Sequence, residues 1–114
     1  MIDPVRLSAL RELESEGSPG VVDALFRSFL NQAGGDLTAL ASEDGAGDAN
    51  AVRIVCHRLR GTAATLGVLG VVRVCEELEA AAGRGRPPPE LLGRLESELS
   101  RVAATVRAWP RLEG

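Results

Sequence analysis

One side chain dominates the chemistry open to this chain: His57, the only histidine among 114 residues. It stands in Ile54-Val55-Cys56-His57-Arg58-Leu59-Arg60-Gly61-Thr62-Ala63-Ala64-Thr65-Leu66-Gly67, with Arg60 three residues on and Gly61 four residues on. A histidine can ligate a metal, move protons or act as a nucleophile. A metal is poorly served here: a structural zinc site normally takes four ligands, no second histidine exists, and Cys56 points nearly perpendicular to His57. Acid–base catalysis needs a pocket and an orienting partner, and the exposed face of a helix supplies neither. The imidazole is therefore either an incidental surface group or one presented to another molecule.

The spacing around it decides which way it faces. Val52, Val55, Cys56, Leu59, Ala63 and Leu66 recur at helical intervals, and at roughly 100° per residue they lie within about 40° of one line. On the same wheel His57 projects about 140° from that line, Gly61 about 180°, Ala64 about 120°, Arg53 about 100° and Arg60 about 80°. The histidine thus faces water, beside two guanidiniums and over two positions with almost no side chain. A glycine inside a helix costs about 1 kcal/mol relative to alanine, and Gly61 carries that cost where it relieves no core crowding. Clearance is a physical reason: with no side chain at Gly61 and little at Ala64, another protein's surface can approach the imidazole. Ile54, about 60° beyond His57, is apolar where water is expected.

Composition supports a helical scaffold. The chain is 45% hydrophobic but has only two Phe, one Trp and no Tyr, so its core is built of Leu, Val and Ala, which suits helix-on-helix packing. A length of 114 residues fits one domain spanning 1–114. The net charge of −3 argues against general nucleic-acid binding. Every basic residue is Arg and none is Lys, so an arginine can stand where a lysine would serve. Cys56 and Cys75 fall on apolar stripes and are expected to be buried free thiols. No apolar run approaches a membrane span, and Met1 leads directly into Asp3-Pro4 without the pattern of a signal peptide. The expected location is cytoplasmic.

In chain order, Asp3-Pro4 opens a short leading helix ending near Glu16-Gly17. Ser18-Pro19 repeats the start signal, and Val22, Phe26, Phe29, Leu30, Ala33, Leu37 and Leu40 then hold helical register to Ser42. Gly34-Gly35 interrupts that run, but the register survives it, so one long helix is expected rather than two. Leu25, Gln32 and Asp36 lie on its shoulder. The stretch 43–50 is a turn, with Asp48 placed to cap the helix that carries His57. Val68, Val71, Val72, Cys75, Leu78, Glu79 and Ala82 mark the next helix, with Glu76 and Glu77 outward. The final helix begins near Pro89 and carries Leu92, Leu95, Leu99, Val102, Val106 and Trp109 on one seam. The expected fold is all-α: an antiparallel up-down-up-down four-helix bundle with a short extra N-terminal helix.

The block from His57 to Gly67 closely resembles the signature of histidine-containing phosphotransfer (HPt) domains, roughly His-x-Leu-Lys-Gly-Ser-Ala-x-x-Leu-Gly. Val74-Cys75-Glu76-Glu77-Leu78-Glu79 and Phe29-Leu30-Asn31-Gln32-Ala33 are similar to the family's neighbouring helices, so the likeness covers nearly the whole chain. Arg60 replaces the usual Lys and Thr62 the commoner Ser. Arginine can also grip phosphate through two N–H groups.

The resemblance implies a carrier that accepts a phosphoryl group on His57 from a receiver-domain aspartate and passes it to another receiver. It implies no independent catalysis and no bound cofactor, with Mg²⁺ supplied by the receiver partner. An unperturbed histidine has a pKa of about 6.5, so an accessible neutral nitrogen is available at cellular pH. Arg60 would stabilise the phosphoryl group, and Gln32 matches a glutamine that orients the imidazole in similar domains. Arg53, Ile54 and Leu25 would belong to the docking surface of a monomeric protein that binds neither nucleic acid nor membrane. Two other readings compete. A sensor-kinase phosphoacceptor domain normally shows an acid directly after the histidine, where this chain has Arg58. A helical interaction module would leave His57 incidental, and would take no phosphoryl group from any receiver.

Overall fold

The computed structural model describes residues 20–42, 48–85 and 87–107, with Val5, Ala9 and Glu12 ahead of them. Those three are helical, and the other residues of the expected leading helix lie outside the described residues, as do Ser18, Pro19 and Trp109. Four helices follow: α1 (Val21–Ala41), α2 (Ala49–Leu66), α3 (Leu69–Ala82) and α4 (Pro89–Arg107). No strand runs through the described residues.

Local chemistry accounts for the boundaries. Gly20 precedes α1 at φ 84°, a left-handed conformation that glycine adopts without steric cost. Across Gly34-Gly35 the helix runs unbroken, because Ala33, Asp36 and Leu40 stay buried on either side and hold the register. Asp48 caps α2 as expected, its Oδ1 accepting from the backbone N–H of Asn50 (3.0 Å) and Ala51 (3.1 Å). At the other end Gly67 takes φ 74° and the Val68 N–H donates to the Ala63 carbonyl at 2.9 Å. That is a Schellman closure, and it turns the chain into α3 within two residues. Pro89 is the first residue of α4, where its missing N–H costs nothing. The first turn of α3 has no side-chain cap of its own. The Glu98 carboxylate of α4 lies against this turn, since a methyl on Gly70 would overlap it, and there the N-terminal dipole of α3 favours negative charge.

Cross-helix pairs set the directions. His57 meets Glu79 and Arg53 reaches Gly83, so α2 and α3 are antiparallel. Asp36 pairs with Arg58 for α1 and α2, and Glu77 with Arg94 at 2.7 Å for α3 and α4. The core is the stripe expected from spacing: Val22, Phe26, Phe29, Ala33 and Leu40 from α1; Val52, Cys56, Leu59, Ala63 and Leu66 from α2. Val71, Val74, Cys75 and Leu78 come from α3, with Leu95, Leu99, Val102 and Val106 from α4. Among the described residues no helix is long and apolar enough to cross a membrane.

Cys56 and Cys75 are free and buried. Burial, reinforced by the Glu79 carboxylate, pushes the Cys56 thiol from 9.0 to about 11. Burial, followed by the neighbouring Cys56, takes Cys75 from 9.0 to about 12. With no Lys or Tyr in the chain, these two side chains dominate titration above pH 9. There the native state holds thiol protons that the unfolded chain has released, so unfolding free energy should fall as pH rises from 9.0 through about 11. Urea unfolding measured at pH 8 and pH 10 should show this loss in the wild-type protein and not in Cys56→Ala/Cys75→Ala. An equal loss in both would remove the thiols as its cause.

Candidate functional site

The rotation of α2 is set by its buried stripe, and everything on the opposite side follows. The His57 side chain keeps 74% of its surface exposed. Gly61 and Ala64 are exposed on the same side. A Cβ at Gly61 would meet no atom within 4 Å, so nothing among the described residues requires a glycine there. Gly34, Gly35 and Gly93 are equally open. Gly61 differs from them in standing one turn beyond the imidazole.

Two shallow concavities flank the ring. On the α1 side, Leu25, Ser28 and Gln32 face His57, Gly61 and Thr65. On the α3 side, Arg53, Ile54 and Glu79 surround the same ring. Leu25 and Ile54 are 41% and 58% exposed. The structure thus gathers all the residues read from the sequence as a docking surface, with Leu25 on one flank of His57 and Arg53 and Ile54 on the other.

The contacts of the ring differ from what the resemblance implied. Arg60 Nη2 lies 3.0 Å from His57 Nδ1. Glu79 Oε1 lies 3.3 Å from the same nitrogen, and Arg60 Nε is 3.5 Å from Glu79 Oε2. No hydrogen bond joins Gln32 to the imidazole. The physical reason is which helix packs beside the ring: α3 places a carboxylate against Nδ1, while Gln32 stands exposed on α1 across the concavity. Glu79 is the residue that sequence reasoning missed. Its only signal was a carboxylate in the apolar register of α3, four residues after Cys75 and three before Ala82.

A second charged pair borders the site. Asp36, buried on α1, accepts a short hydrogen bond from Arg58, which is half-exposed. Its other oxygen is buried without a partner. This pair ties α1 to α2 one residue from His57 and fixes one guanidinium at the rim. Arg60 and Glu79 form the other, so the ring stands between two locally compensated pairs.

An exposed imidazole with a guanidinium beside it and a bare stretch of backbone one turn on, carried by an antiparallel helical bundle, is the arrangement expected of a histidine phosphotransfer carrier. A model of the Hpt domain matches residues 24–105, and the chain belongs to that family. Among solved structures it is similar to histidine-containing phosphotransfer protein B of Pseudomonas aeruginosa. The TM-score is 0.77 at 27% identity, covering 96% of this chain and 94% of that one. Comparison with curated proteins finds no match.

Removing Arg58 strands a buried carboxylate, which costs about 1–3 kcal/mol. Arg58→Ala should therefore lower urea-measured stability by about that much. Arg58→Leu/Asp36→Leu should recover most of it, and a double variant no better than the single would show that the pair does not link the helices. In contrast, Gly61→Ala should raise stability by about 1 kcal/mol, read from the same unfolding curves.

Proposed function

We propose that the chain is a phosphorelay intermediate that receives a phosphoryl group on His57 from the aspartate of one receiver domain and delivers it to another. The observation that carries this reading is the ring itself: three-quarters exposed, with Nδ1 engaged by neighbours, so that Nε2 is the nitrogen turned to a partner.

The Nε2 lone pair attacks phosphorus in the receiver's aspartyl phosphate. An N–P bond forms while the P–O bond breaks, and its electron pair returns to the departing carboxylate. Phosphoryl transfer of this kind depends mainly on positioning and charge stabilisation. The receiver is expected to bring Mg²⁺ and the acidic pocket, so the carrier needs no cofactor and no independent catalytic activity. Arg60 is placed to take phosphoryl oxygens once they arrive. Leu25, Ile54 and Arg53 form the docking rim, Gln32 is a contact on its α1 side, and Gly61 and Ala64 leave room for the partner's backbone. The protein acts as a monomer in the cytoplasm, with receivers of response regulators or hybrid kinases as partners and neither nucleic acid nor membrane among them.

Incubation with a phosphorylated receiver should place an acid-labile, alkali-stable label on the protein, absent in His57→Gln. Failure of transfer from every receiver of the source organism would leave a helical interaction module instead. Gly61→Gln should fold normally yet slow transfer by roughly 10²-fold, the scale of a misplaced reacting group. Unchanged transfer kinetics would remove the clearance role of Gly61.

A further inference from the structure

His57 Nδ1 has two neighbours that make opposite demands on it. The Arg60 guanidinium, 3.0 Å away, carries only N–H donors and needs a lone pair on Nδ1. The Glu79 carboxylate, 3.3 Å away, carries only acceptors when ionised and needs a proton there. A neutral imidazole has one N–H and one lone pair, so it satisfies one of them at a time. If Arg60 is served, the proton lies on Nε2 and the outward nitrogen has no lone pair with which to attack. If Glu79 is served, Nδ1 holds the proton and the Nε2 lone pair faces solvent.

We propose that Arg60 is a tautomer lock: in the free protein it holds Nδ1 as an acceptor and Nε2 protonated, and its withdrawal hands Nδ1–H to Glu79 and frees the Nε2 lone pair. The inference rests on the carrier reading and deepens it. A phosphoryl group docking over the ring offers Arg60 charged oxygens that grip a guanidinium more strongly than a neutral ring nitrogen does. The same event that brings the substrate therefore switches on the nucleophile. The tautomer exchange loses one proton from Nε2 to water and gains one at Nδ1, which the exposed ring allows. After attack the phosphorylated ring keeps its Nδ1 proton and bears a positive charge facing Glu79. When Arg60 leaves, no other cation among the described residues takes its place at Nδ1. Arg58 is held by Asp36 of α1, Arg53 leans toward Gly83 at the end of α3, and the α1 side offers only the neutral Ser28 and Gln32.

Because His57 is the only histidine, the ring nitrogens of ¹⁵N-histidine-labelled protein, prepared without a histidine tag, give one unambiguous imidazole spectrum. In its neutral form the wild-type ring should be Nε2–H. Arg60→Met, which keeps the apolar stem and removes the donors, should shift the tautomer ratio toward Nδ1–H by about tenfold, the scale of one hydrogen bond. Arg60→Lys, which still donates, should restore the wild-type ratio, and Glu79→Leu combined with Arg60→Met should abolish the shift. A wild-type ring already Nδ1–H, or a ratio unmoved by Arg60→Met in a folded protein, overturns the lock. This readout needs no receiver. Failed transfer with a responsive tautomer sinks the carrier reading alone, and intact transfer with an unresponsive ring sinks the lock alone.

Discussion

The rotational setting of α2 is the constraint on which the rest depends. Val52, Cys56, Leu59, Ala63 and Leu66 are 7% exposed or less, and each apolar side chain fully buried there contributes about 1.5–3 kcal/mol. Turning the helix enough to hide His57 would expose that stripe to water. The imidazole is held outward by the burial of its own helix's opposite face, and the caps at Asp48 and Gly67 hold the helix to the length that keeps the stripe aligned. A reactive group on such a helix needs no loop to display it, and its position has the rigidity of the core.

What lies around the ring is an arrangement of charges that nearly cancel in pairs. Arg60 faces Glu79, and Arg58 faces Asp36. Phosphate chemistry asks for cations, but an isolated cluster of guanidiniums would repel itself and bind anions indiscriminately. Pairing each with a carboxylate keeps the cation in place until a stronger anion competes for it. The two pairs differ in how freely they can respond. Asp36 is almost wholly buried, so Arg58 is committed to it, since a buried carboxylate cannot be left alone cheaply. Arg60 is shared between a carboxylate at 3.5 Å and a ring nitrogen at 3.0 Å. Neither contact binds it as a buried ion pair would.

The similarity to a phosphotransfer protein at 27% identity and a TM-score of 0.77 has the same physical basis. A bundle core tolerates exchange among Leu, Val, Ala and Cys as long as volume and pattern persist. Gly61 stands apart from that tolerance, because the packing of the described residues does not explain its residue type.

Much of this was legible in the sequence because it is local. The 3.6-residue period placed His57, Arg53, Ile54, Gly61 and Ala64 outward, and cap chemistry at Asp48 and Pro89 marked where helices begin. The continuity of α1 through Gly34-Gly35 could be read from the register of Leu37 and Leu40. The partners of the site were not legible, because they join different helices. His57 and Glu79, like Asp36 and Arg58, are separated by 22 residues, and helical spacing is silent about which neighbouring helix meets a side chain at a given level. A carboxylate in the apolar register of α3 and an acid on the shoulder of α1 became parts of a site only when lateral packing set them against α2. The outward histidine was a property of the chain, and the groups that stand beside its ring were decided by how the helices stack.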